Sequence, residues 1–159
     1  MKNLLLFVVL AIAWGCCPKT NEQKDCEASG HSTSVINPVS TSDLNTIKQL
    51  MGASKDCWNK GDFEGYMDVY WRSDSLKFMG LNSITYGWNS TLAMYKRAYP
   101  NETARGRLTY TFDHFEQLAT DCLLVVGKFH LQRQENLEGY FSLIWKKIDG
   151  EWKIILDHT

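Results

Sequence analysis

The sequence predicts an α+β domain in which helices come first and a meander of strands follows. Three observations predict it. Apolar residues between Ser42 and Tyr99 recur at helical spacing. From Arg107 onward, runs rich in Val, Ile, Thr and aromatic residues replace that pattern. Asp149-Gly150 lies between two such runs and is a strong two-residue hairpin signal. Helices and strands segregated along the chain place the helices on one face of an antiparallel sheet.

The elements follow in order. Ser42 and Asp43 are expected to cap a first helix carrying Leu44, Ile47, Leu50, Met51, Cys57 and Trp58 on one side. Gly61 ends it, and Asp62 caps a short second helix with Phe63, Tyr66, Met67 and Tyr70. Leu76 to Leu81 reads as a short strand. A third helix is expected over Asn89–Tyr99 and stops at Pro100, because the residue before a proline is pushed out of the helical region. Strands are then expected over Arg107–Gln117, Cys122–Arg133, Gly139–Ile148 and Glu151–His158.

The hairpin sets a register. Ile148 faces Glu151, Trp145 faces Ile154, Leu143 faces Leu156 and Phe141 faces His158. Alternation then turns Phe141, Leu143, Trp145, Trp152, Ile154, Leu156 and His158 inward, and Tyr140, Ser142, Ile144, Lys153, Ile155 and Asp157 outward. A bulge in the last strand would exchange the faces of Asp157 and His158. Leu123, Val125, Gly127, Phe129 and Leu131 read as inward on the strand from Cys122. Tyr110, Phe112 and His114 read as inward on the strand from Arg107, although a bulge could turn His114 outward.

The whole chain has 159 residues, a length that fits one domain. Its 17 basic and 18 acidic side chains give a formal charge of -1, with no basic excess to hold a nucleic-acid backbone. Met1-Lys2-Asn3 followed by the apolar run Leu4–Ala13 reads as a signal peptide over residues 1–15. Ala13-Trp14-Gly15-Cys16 resembles the lipobox of bacterial lipoproteins, which makes Cys16 the expected lipidation site. The expected location is then the periplasm-facing side of a bacterial membrane, reached only through the lipid anchor. A secreted soluble protein is the alternative. Residues 16–41 are polar and aperiodic and read as a flexible tether, which leaves residues 42–159 as the domain. Cys57 and Cys122 are either bridged or free, and free thiols are expected because a core of this size needs no bridge. No metal-ligand spacing is present, so no metal or cofactor is expected.

Several segments carry a family resemblance: Trp58-Asn59-Lys60-Gly61-Asp62, Tyr70 with Ser73-Asp74-Ser75, and Gly87 ahead of the third helix. The C-terminal block Gly139–Ile144, Asp149–Ile154 and Asp157-His158-Thr159 adds to them. Together they resemble the nuclear transport factor 2-like superfamily, within it the SnoaL-like bacterial branch. That branch is similar to the association domain of calcium/calmodulin-dependent protein kinase II. The resemblance implies a cystatin-like cone of curved sheet wrapped round the helices, a pocket between them, and often a homodimer through the convex sheet face. Members of the superfamily include isomerases, cyclases, dehydratases and binding or assembly modules, so fold does not give function.

His158 is the leading candidate for an acid/base group, and Asp157 replaces it if the last strand bulges. Trp58, Tyr66, Tyr70, Tyr95, Tyr110, Phe112, His114, Phe141 and Trp145 are expected to line the pocket. The functional expectation is a domain that binds a small apolar or amphipathic molecule. An isomerase, cyclase or dehydratase using His158 and an interaction module working through the convex sheet are the alternatives. The inward face carries no carboxylate in this register, which favours binding over catalysis.

Overall fold

In the computed structural model, residues 39–159 are described. The expected signal peptide, Cys16 and most of the expected tether lie outside the described residues.

Helix α1 runs Thr41–Lys60 and buries Ile47, Met51, Ser54 and Trp58, one stripe at helical spacing. Ser42 and Asp43 lie inside its first turn rather than capping it. Asp43 instead accepts hydrogen bonds from Trp152 Nε1 at 2.8 Å and Lys147 Nζ at 3.1 Å, tying α1 to the strands at the chain's end. Gly61 closes the helix in the left-handed region, φ 82°, which glycine adopts without a Cβ clash. Asp62 accepts from the Gly65 amide at 2.9 Å and caps α2, Phe63–Tyr66, as expected. A 3-10 turn, Met67–Val69, follows.

Two short strands come next, β1 over Lys77–Met79 and β2 over Ile84–Tyr86; the sequence reading had only the first. Helix α3 is Trp88–Ala98, and its Trp88 Nε1 donates to the Met67 carbonyl at 2.9 Å. A further short helix, α4, spans Glu102–Arg105. The long strands are β3 Arg107–Ala119, β4 Cys122–Gln132, β5 Leu137–Ile148 and β6 Glu151–His158.

The six strands form one sheet in the order β2-β1-β6-β5-β4-β3. The meander β3 to β6 is antiparallel, as the hairpin signal requires. The sheet as a whole is mixed, because β1 pairs with β6 in parallel. No hairpin joins that pair, so no turn dictates its direction; β1 arrives on the free edge of β6 from the helical half of the chain. Asn59 clamps α1 to the other end of the sheet. Its Oδ1 accepts from the Leu108 amide at 2.7 Å and its Nδ2 donates to the Leu108 carbonyl at 3.1 Å.

The Asp149-Gly150 turn forms as expected, both residues at positive φ, and Ile148 pairs with Glu151. The register holds as far as Trp145 opposite Ile154. It then shifts. Ile144 pairs with Leu156, Leu143 with Asp157 and Ser142 with His158, so Ile155 is the extra residue of a β-bulge. The bulge corrects the uniform alternation: Asp157 turns inward and is buried, while His158 is exposed. A second bulge, at Asp113 in β3, does the same to His114, whose side chain is 57% exposed. Phe115 takes the half-buried position instead.

Cys57 and Cys122 are free and half-buried. No helix among the described residues is long and apolar enough to cross a membrane.

Candidate functional site

The inner face of the sheet and helices α1 to α3 line a partly open cavity of about 90 Å³. Helix α1 contributes Met51, Ser54 and Trp58 from its buried stripe. Tyr66 comes from α2, and Val69 and Tyr70 from the turn after it. Tyr95 comes from α3, and Leu108, Tyr110, Phe129, Leu131, Phe141, Leu143, Ile154 and Asp157 from the four long strands. Phe78, Tyr99 and Thr159 complete the lining. Phe78, Tyr99 and Phe129 are only half-buried and Thr159 is exposed, so this side faces solvent.

Of the nine expected lining residues, Trp58, Tyr66, Tyr70, Tyr95, Tyr110 and Phe141 are brought together here. Phe112, His114 and Trp145 are not. Phe112 packs between Tyr110 and Phe115, with ring centroids 6.5 and 5.5 Å away. Trp145 is wholly buried in the core. The bulge at Asp113 turns His114 outward, and its Nε2 lies 3.4 Å from Glu116 Oε2. His158 is also outside the lining, for the reason given by the bulge at Ile155.

The rings meet mostly edge to face. Trp58 lies 4.9 Å from Tyr66, 5.7 Å from Tyr95 and 4.8 Å from Tyr99, centroid to centroid. Tyr95 in turn meets Tyr66 at 5.2 Å and Phe78 at 5.5 Å. Aromatic pairs prefer this geometry. Ser54 donates its hydroxyl to the Tyr66 carbonyl at 2.9 Å, which fixes α2 on α1. Trp58 is 2% exposed, and its Nε1–H has no partner among the described residues.

One carboxylate sits in this apolar surround. Asp157 is 3% exposed. Its Oδ2 accepts from the Tyr70 hydroxyl at 2.7 Å, and its Oδ1 from the Thr159 hydroxyl at 2.5 Å. The Tyr66 hydroxyl lies a further 3.4 Å from that of Tyr70. Burial raises the Asp157 carboxyl above its ordinary value of 3.8, against the lowering effect of the Thr159 and Tyr70 hydrogen bonds and of His158. Burial and the nearby Asp157 charge push the hydroxyls of Tyr70 and Tyr95 well up, so both stay protonated as donors. Among the described residues, no Lys, Arg or His lines the cavity. Among the described residues, no group of three or more His, Cys, Asp or Glu is placed to hold a metal ion.

Sequence reasoning put Asp157 outward in the regular register and inward only if the last strand bulges, which it does. It missed Met51 and Ser54 as lining residues, although their spacing with Trp58 on one helix stripe carried the signal.

This geometry has counterparts among solved structures. A nuclear transport factor 2-like protein of unknown function from Shewanella oneidensis is 34% identical. The alignment covers 73% of this chain and 97% of that one, with a TM-score of 0.70. A cystatin-like protein of unknown function from Nostoc punctiforme is 19% identical over 75% of this chain and 78% of that one, with a TM-score of 0.63. A nuclear transport factor 2-like superfamily protein from Salmonella enterica is 15% identical over 75% and 91%, with a TM-score of 0.56. No family model matches the chain, and no curated protein matches it. The first similarity shows the family: the chain belongs to the nuclear transport factor 2-like superfamily. It has the cystatin-like fold, with helices packed on a curved mixed sheet.

Proposed function

We propose that this chain is an exported, lipid-anchored domain of the SnoaL-like branch. It takes a small apolar or amphipathic molecule into the aromatic cavity, with Asp157 as its polar anchor. The observation that carries the binding reading is the cavity with its single buried carboxylate. Protein interiors pack to a density of about 0.74 and leave few voids larger than a water. A void of about 90 Å³ holds several waters, yet is small beside the pockets that take drug-sized ligands. The ligand is therefore small. Apolar rings that fill its sides and a few convergent polar groups are the common composition of such sites.

The leader pattern and Cys16 support export and anchoring. The C-terminal block quoted above supports the branch. A homodimer through the outer sheet face is supported by the 63%-exposed Tyr140 beside the half-buried Val126 and Ile144.

Toluene is a suitable neutral probe. Saturation with it is expected to shift the NMR signals of Trp58 and Tyr95, and Leu131→Trp, which fills the cavity, is expected to abolish the shift. Wild-type signals that do not move would contradict the reading. Incorporation of labelled fatty acid that survives Cys16→Ala would contradict the lipid anchor.

A second reading is favoured by the Tyr70–Asp157 hydrogen bond. A buried carboxyl with a raised pKa beside a tyrosine donor is the equipment of a cofactor-independent isomerase, cyclase or dehydratase. Asp157 would then hold the proton that the sequence reading gave to His158.

A further inference from the structure

Among the described residues, the charge of Asp157 has no ion-pair partner. No Lys, Arg or His among them lines the cavity. Buried carboxylates are normally paired with a cation or forced neutral, because an isolated charge in an apolar interior is very costly. Two hydroxyl donors, from Tyr70 and Thr159, offset part of that cost and hold the carboxylate in place. They supply no positive charge. Around the same space stand the rings of Trp58, Tyr66, Tyr70, Tyr95 and Tyr99. Ring faces attract cations, Trp most strongly, and a desolvated cage of several rings is how quaternary ammonium groups are held. Trp58 also lines this space, and its buried Nε1–H lacks an acceptor among the described residues.

We propose that the cavity takes a small organic cation, a primary to quaternary ammonium compound that carries a hydrogen-bond acceptor. Its charge pairs with Asp157, its carbon substituents pack on the rings, and its acceptor meets the Trp58 N–H. This rests on the small-molecule-binding reading and adds the ligand's charge to it. An anionic ligand is disfavoured by the same carboxylate. A neutral apolar ligand would leave both the carboxylate without a counter-charge and the indole donor without an acceptor. Cation binding favours the ionised carboxyl over the protonated one. The groups that bear on that titration are Tyr70, Thr159 and His158 directly, and the hydroxyls of Tyr66, Tyr95 and Tyr110 through the Asp157 charge.

The test is calorimetry of wild-type protein with two probes of one shape. One is choline. The other is its uncharged carbon isostere, in which a tert-butyl group replaces trimethylammonium. The cation is expected to bind tighter by on the order of tenfold or more. Asp157→Asn is expected to bring the two affinities together. Equal binding of the two probes to wild-type protein would overturn the cation assignment and leave the small-molecule reading standing. Tighter binding of the isostere would do the same. Absence of binding by both, together with a null result for toluene, would overturn the two readings together. The comparison needs no variant, so it holds even if Asp157→Asn fails to fold.

Discussion

The Tyr70 hydroxyl donates to Oδ2 of Asp157 at 2.7 Å, across 87 positions of sequence. The bond joins the helical half of the molecule to its last strand. Tyr70 is held to that strand by more than its side chain: it forms an isolated parallel bridge with Ile154, and the Trp71 amide donates to the Ile154 carbonyl at 2.9 Å. The helices therefore lie on the sheet in a position that delivers a donor to the one carboxylate of the cavity.

Tyr70→Phe removes that donor and leaves a buried oxygen short of a partner. The cost of such an orphan is about 1–3 kcal/mol. Tyr66→Phe is expected to cost less, because the contact of its hydroxyl with Tyr70 is longer, at 3.4 Å. Urea unfolding of the two variants, read at constant slope, checks the order. A larger loss for Tyr66→Phe would mean that the network is wired differently.

Asp157→Asn is expected to change how stability depends on pH. A carboxyl whose folded pKa is raised binds more protons folded than unfolded. Its contribution is full at low pH and is lost as pH climbs from the unfolded value through the folded one. Asp43 works in the opposite sense. Its carboxyl is lowered chiefly by the Trp152 N–H, with Lys147 adding to it, so its contribution is present above the unfolded value and lost as pH falls. Comparing variant with wild type cancels Asp43. The expected outcome is a wild-type urea midpoint that falls from about pH 4 upward relative to Asp157→Asn. Parallel curves would show that folding does not raise the Asp157 pKa.

His158→Ala is expected to be nearly silent. The residue is exposed and its side chain does not line the cavity. Surface changes away from special features stay within about 0.5 kcal/mol. Toluene titrations of the variant should match wild type within experimental error. A large loss of binding would restore the inward register of the regular strand.

Gly127→Ala tests the packing of the curved sheet. A Cβ there would meet the Thr111 carbonyl oxygen and lie 2.6 Å from Phe141 Cζ. The backbone oxygen cannot swing away, and Phe141 lines the cavity. Overpacking of this kind costs about 1–3 kcal/mol. Thermal unfolding is expected to show that loss, and toluene binding is expected to weaken with it as Phe141 is displaced.

Much of this molecule is legible in the sequence. The buried stripe of α1, the Asp62 cap, the Asp149-Gly150 turn and the four long strands each follow from local chemistry. The gathering of Trp58, Tyr66, Tyr70, Tyr95, Tyr110 and Phe141 round one space follows from period and alternation. What local pattern left open was whether the bulges form, and where. An extra residue at Ile155 or Asp113 is set by sheet curvature and by partners far away in sequence, and Ile155 is as good a strand former as its neighbours. Each bulge reverses every side chain beyond it. That reversal took His158 and His114 out of the cavity and put Asp157 into it. The parallel pairing of β1 with β6 and the short strand β2 were equally beyond local pattern, because each spans only three residues.

The central claim is that Asp157, and not His158, sits inside the cavity as its polar anchor. Carbon-13 NMR titration of the Asp157 carboxyl measures this most directly. The account predicts a midpoint above the ordinary value of 3.8, moved downward when choline is bound. A midpoint at or below 3.8, indifferent to choline, would place the carboxylate in water and contradict it.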